Sequence, residues 1–405
     1  MDKKRIFIAI GFFILCIVLG YLIYHFFFAS TAITPPTGGE GKTATTSVSS
    51  FPQAGQGGPK GQTGPQPTTL PTSTTTPPSE TATNRPGKVT QIIADNVAGV
   101  RGSKNGMRYY DAGDGKFYQL GPDGKPVPLD DKVFFNVQKV EWSPQKNEGI
   151  LEYPDGSNIY YNFETKKQVT LPKHWEQFSF APNSDKIAAK SIGISSEGNW
   201  LINASPDGQG VKLIEPLGDN ADKVKVNWSP NQQVIATSET GEALGADQQQ
   251  ILFIGQNHEN FKSITVEGRG LTSEWSPTGS KLLYSVYSER SDYKPELWIT
   301  NAQPGTTDTG RKLLEVNTWA NKCTFQDDRY VYCGIPTDLQ KGAGFVPDIA
   351  NQVPDTIYKI DTQTGVKTQI PMDQSHVIDS MFVGPDGKTI YFTDKNQSGL
   401  FTVSQ

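Results

Sequence analysis

A short phrase recurs through residues 88–405 of this 405-residue chain and limits its fold more than any other feature. It consists of an apolar strand, Trp-Ser-Pro or a variant, a polar turn, and a second apolar strand. It reads VEWSPQKNEGILEY at Trp142, FSFAPNSDKIAAK at Phe180, VNWSPNQQVIATS at Trp228, SEWSPTGSKLLYSV at Trp275, CTFQDDRYVYCGI at Phe325 and MFVGPDGKTIYFT at Val383. Successive copies lie 38, 48, 47, 50 and 58 residues apart. A four-stranded propeller blade repeats at about 40 to 50 residues.

Each phrase leads into a third strand and a turn-linked fourth, as in NIYYNFETKKQVTL and WLINASPDGQGVKLI. Their turns are rich in Gly, Asn, Asp and Pro, as tight hairpin connections require. A further unit precedes Trp142, with VAGVRG as its first strand and MRYYDAGDGKFYQLGPDGKPVPL supplying the other three. The last unit stops at Gln405 one strand short, while KVTQIIAD at 88–95 is a strand with no unit of its own. Placed together they complete each other, and such closure removes the free edges of an open array. The expectation is an all-β fold: a propeller of seven four-stranded blades closed by the terminal strands, with six and then eight blades as the alternatives.

These spaced phrases resemble the TolB-like, WD-related propeller repeats of bacterial envelope proteins, and are also similar to the propeller of prolyl oligopeptidase-type enzymes. The resemblance covers residues 88–405. It implies the fold and an envelope compartment.

The preceding residues differ in kind. Residues 6–28, IFIAIGFFILCIVLGYLIYHFFF, carry no formal charge and exceed the roughly 20 apolar residues a helix needs to span a bilayer. Lys3, Lys4 and Arg5 stand just before this stretch and no basic cluster follows it. The positive-inside bias then expects residues 1–5 in the cytoplasm, 6–28 as a single-pass transmembrane signal-anchor, and the remainder on the extracytoplasmic side of the cytoplasmic membrane. A cleaved signal peptide ending near Ser30-Thr31-Ala32 is the competing reading, although its apolar core would be unusually long. Residues 29–87 follow as a linker. Of the 57 residues 31–87, 15 are Thr and 10 are Pro, and Phe51 is the only aromatic, a composition that cannot bury enough apolar surface to fold.

Charge narrows the partners. Residues 2–5 give +2 and residues 31–87 give +1, so the net −5 leaves −8 on residues 88–405. An acidic globular part argues against nucleic acid as a partner. The chain has three cysteines and lacks a C-x-x-C or Cys/His cluster of the kind zinc needs. Cys323 and Cys333 flank the hairpin CTFQDDRYVYC, where pairing about Asp328 sets them opposite each other within disulfide reach. In an oxidising compartment a disulfide is the favoured state. The alternatives are free thiols or a reactive or metal-binding pair.

Several residues invite chemistry and have a plainer role. Trp142, Trp228 and Trp275 occupy one place in the phrase, where blade-to-blade packing is the expected use of a repeated aromatic. The Pro-Asp-Gly runs ending at Gly124, Gly156, Gly208 and Gly387 are turn chemistry and lack calcium-loop spacing. No G-x-S-x-G elbow, H-E-x-x-H or P-loop occurs in the chain. His174, His258 and His376 are isolated in sequence and expected at the surface. No catalytic or metal-binding residue is assigned, and the reading requires no cofactor.

Loop length carries the functional signal. The connections between second and third strands are tight in units one, two and seven. In units three to six they are long, spanning about 191–198, 239–249, 287–295 and 335–355. Strand alternation sends all of these to one face, so the four long loops should form a contiguous arc. Long loops on a rigid scaffold are where binding residues concentrate; neutral tolerance of insertions is the alternative. The candidate binding residues are Glu239 and Glu242, then Glu289, Arg290, Asp292, Tyr293 and Lys294, then Lys341, Phe345 and Asp348. The functional expectation is a membrane-tethered propeller that binds an envelope protein or polymer. The alternative is a hydrolase or lyase acting on a peptide, lactone or glycan at the central channel, which carboxylates or histidines converging from several blades would favour.

Overall fold

The computed structural model describes residues 18–19, 87–103, 106–121, 124–384 and 386–404. The cytoplasmic residues 1–5, most of the helix expected over 6–28, and the linker as far as residue 86 lie outside them. Among the described residues no helix is long and apolar enough to cross a membrane.

Residues 87–404 form seven four-stranded antiparallel sheets, the blades of a β-propeller. The first strands of blades one to seven are Val97–Ser103, Lys139–Trp142, Trp175–Phe180, Val224–Val226, Arg269–Trp275, Cys323–Phe325 and Ile378–Val383. Neighbouring first strands approach one another around the centre. Blade seven takes its fourth strand, Val89–Ile93, from the start of the propeller; Val89 pairs with Val403 and Ile93 with Leu400. The expected seven-bladed, terminally closed ring is therefore present.

The recurring phrase has a local physical cause. Its aromatic enters the core between blades: Trp142, Trp228 and Trp275 are all buried. Its serine closes the turn to the second strand. Ser143, Ser229 and Ser276 donate their backbone N–H to the carbonyls of Glu148, Val234 and Lys281 at 2.8–3.0 Å, and all three serines are fully buried. Ser229 and Ser276 also accept the backbone N–H of those last two residues on Oγ, the local side-chain bonding that suits serine to turns. Three residues on, the turns of blades four and five take a left-handed backbone, at Gln232 (φ 64) and Gly279 (φ 70). At Gly279 a Cβ would also lie 2.8 Å from the backbone nitrogen of Asn231, so glycine serves both the turn and the close approach of blade four.

The turns are stitched from blade to blade. The buried Arg108 of blade one donates to the carbonyls of Lys146 (2.6 Å) and Ser143 (2.8 Å) in the blade-two turn. Gln145 N–H reaches Ser184 Oγ of blade three at 2.9 Å, Asn231 reaches Gly279 O of blade five at 3.1 Å, and Lys281 reaches Asp328 O of blade six at 2.8 Å. Cys323 and Cys333 pair directly across their strands and are joined by a disulfide, with Cα atoms 4.0 Å apart.

Candidate functional site

The turns just described and the loops between second and third strands lie at opposite ends of each second strand, so they occupy opposite faces of the ring. On the loop face the tight connections fall in blades one, two and seven and the longer ones in blades three to six. The longest, residues 337–354, is not slack: Leu339, Ala343 and Ala350 bury themselves against Trp319 in a small core of their own.

That loop is fastened to its neighbour in blade five. Gly342 N–H donates to Asp292 O (2.9 Å) and Gly344 N–H to Tyr293 O (2.7 Å), while Lys341 Nζ lies 3.1 Å from the Asp292 carboxylate. A Cβ at Gly344 would come within 2.5 Å of the Tyr287 ring, so only glycine allows this approach. Phe345 rests on Tyr287 and Tyr293, with ring centroids 4.7 and 5.0 Å away. Phe345 itself stays 57% exposed, beside Val346 at 50%. On one side Arg269 of blade five ties down the blade-four loop through the carbonyls of Gln248 and Gly245. On the other, Asn396 of blade seven donates to Asn351 O at 2.8 Å.

Of the ten candidate residues, Asp292, Tyr293, Lys341 and Phe345 thus come together in one patch. Glu289, Glu242 and Asp348 are exposed around it, and Asp348 accepts a hydrogen bond from Asn351. Lys294 borders a separate cavity with Glu315 and Lys367. Arg290 pairs with Glu296 and stands over the Trp298 ring. Glu239 turns inward to Lys225 on a first strand, at 2.9 Å. The last two are structural ion pairs in this arrangement.

A second polar region fills the ring centre, a cavity of about 710 Å³ whose mouth on the turn face is rimmed by Pro144, Pro182, Pro230 and Pro277 of the recurring phrase. First strands alternate. Where Val140 and Trp142 enter the core, Lys139 and Glu141 are left at the channel; the same spacing delivers Lys225 and Asn227, and Thr272 and Glu274. Arg101 of blade one joins them. Burial pushes the Glu274 carboxyl up to about 7, against the pull of Arg101, with Glu141 adding to the rise. The Glu141 carboxyl is raised by the same cause. These carboxylates are not among the residues expected from sequence, although each stands immediately before the packing tryptophan in an EWSP run.

The histidines correct one expectation. His174 and His258 are exposed, but His376 is 1% exposed. Its Nδ1 lies 2.9 Å from Asp394 Oδ2 and its ring packs between Phe392 and Phe401. A polar residue can be core when a buried carboxylate is provided for it, and that partner is 18 residues away in sequence. Among the described residues no group of three or more His, Cys, Asp or Glu side chains could hold a metal ion.

No protein-family model matches the chain, and no curated protein matches it. Solved structures do share its fold. An oligogalacturonate lyase in complex with manganese superposes with a TM-score of 0.56 at 14% identity, over 80% of this chain and 94% of its own. The β-propeller domain of Cps50 (Swd1) from Myceliophteria thermophila gives 0.52 at 10% identity, over 78% and 99%. A streptogramin B lyase gives 0.50 at 10%, over 78% and 97%. Identities this low establish the architecture, a seven-bladed propeller, and leave its chemistry to the residues of this chain.

Proposed function

We propose that this protein is a binding module of the cell envelope, anchored in the cytoplasmic membrane by residues 6–28 and carrying its propeller on the extracytoplasmic side, where the loop arc of blades four to six engages an envelope protein or polymer. One observation supports this most. The long loops of blades five and six are folded against each other so as to hold Phe345 partly exposed on two tyrosines. An ordered aromatic on an aromatic platform is the kind of group that anchors interfaces, and slack insertions do not build one.

The test is site-specific photocrosslinking in intact membranes, with the reactive residue at 346 on the loop face or at 388 on the turn face. A discrete adduct from 346, absent from 388 and lost with Phe345→Ser, is expected. Adducts from 388 alone, or from neither position, would overturn the proposal. Protease added outside spheroplasts should digest the propeller; full protection would overturn the topology.

The second reading, a hydrolase or lyase at the channel, draws on the carboxylates of Glu141 and Glu274 converging from blades two and five. Two of the propellers similar in fold are lyases, so the scaffold is compatible with such chemistry. The donor set does not suit a metal ion, because the carboxylates stand near Arg101 and, among the described residues, no histidine lines the cavity.

A further inference from the structure

The channel presents polar groups that the fold itself does not use. Two of the charged side chains that line it are engaged: Lys139 with Glu152 and Lys225 with Glu239. Arg101, Glu141 and Glu274 differ, since among the described residues no side-chain hydrogen bond or ion pair joins any of them to a partner. They come from blades one, two and five and line one cavity. Gln177, Asn227 and Asn321 line it with them.

The chemistry of these groups defines what complements them. A guanidinium only donates, in a planar fork matched to a carboxylate. Ionised carboxylates only accept, and two of them against one guanidinium leave an excess of negative charge. The complement therefore carries one carboxylate and more than one ammonium group. Side-chain amides donate and accept together, as a peptide group does. The proline rim offers apolar walls to methylene groups, and a cavity of this size suits a small molecule.

We infer that the channel is a binding site for a small cationic amino acid or dipeptide, its carboxylate held by Arg101 and its ammonium groups by Glu141 and Glu274. This site is independent of the loop arc and opens on the opposite face. Ionisation of Glu274 completes it. Facing that carboxyl are Arg101 and Glu141, while Lys139 and Lys225 of the same cavity are already paired, and its raised pKa of about 7 means that this ammonium site is half-charged near neutrality.

Isothermal titration of the full-length chain in detergent, with glycyl-L-lysine as probe, tests the inference. Cadaverine, which has no carboxylate, and glucuronate, which has no amine, serve as controls. Glycyl-lysine should bind at least about tenfold more tightly than either control, as the loss of a charge-assisted bidentate contact implies. Its affinity should rise between pH 6 and pH 8. Arg101→Met should bring it down to the cadaverine level, and Glu274→Gln should flatten the pH dependence. Phe345→Ser should leave binding unchanged. Glucuronate binding as tightly as glycyl-lysine, affinity independent of pH in the native chain, or no heat from glycyl-lysine at 10 mM of probe, on the order of the weakest specific binding, would each overturn it.

Discussion

Arg108 is a fully buried cation held by two peptide carbonyls and the face of Trp142, whose ring centre is 4.8 Å away. Burial lowers its pKa to about 10, with Arg101 pushing the same way and Glu148 opposing, so it stays charged at neutral pH. Replacing it with methionine keeps most of the volume and strands both carbonyls. Arg108→Met should cost about 3 kcal/mol, read as a lower urea midpoint at unchanged slope; an unchanged midpoint would show the turn carbonyls satisfied without it. Single residues are where the sequence was least legible. The packing role of Trp142 follows from repetition, and strand alternation turns Glu141 beside it the other way, but nothing in the phrase announces that it meets Arg101 in the channel. Each comes from a different blade, and their meeting is a property of ring closure. His376 departs from its expected surface position for a related reason, because its partner Asp394 ends the second strand of blade seven, beyond the whole first strand.

At the scale of elements, the hairpin 323–333 shows what local pattern can establish. Asp327 holds the turn by accepting the backbone N–H groups of Arg329 and Tyr330, and the register it closes sets Cys323 opposite Cys333. The chain-entropy account of closing so short a loop gives about 3 kcal/mol. Reduction, or Cys323→Ser with Cys333→Ser, should lower stability by that order; equal melting temperatures with and without reductant would contradict it. Loop lengths were equally legible, since they are counted between strands. How the loops pack was not. The contact of Gly344 with Tyr287 joins residues more than fifty positions apart, and the Trp319 cluster recruits Leu339, Ala343 and Ala350 with no periodicity to mark them.

The whole molecule depends on one non-local pairing. Val89 packs with Tyr332, Ile357, Ile390 and Val403 between blades six and seven, and the first strand covers the third strand of blade seven, Leu400–Ser404. Deleting residues 88–95 while keeping everything before them should expose that edge. The lost burial of Val89 and Ile93, about 2 kcal/mol each, together with the lost ladder, approaches the whole stability of a domain, and a bare edge invites association. The shortened chain should elute as oligomers or fail to melt cooperatively; a monomer with unchanged melting would refute the dependence. The same pairing sets an order of events. The strand at 89 leaves the ribosome some 300 residues before its partner at 400–404, an interval of about 15 to 60 s at ordinary synthesis rates. For all that time blade seven does not exist. A chain cut short before residue 400 therefore yields a broken ring with two unpaired ends, as damaging as the loss of a blade much earlier in the chain.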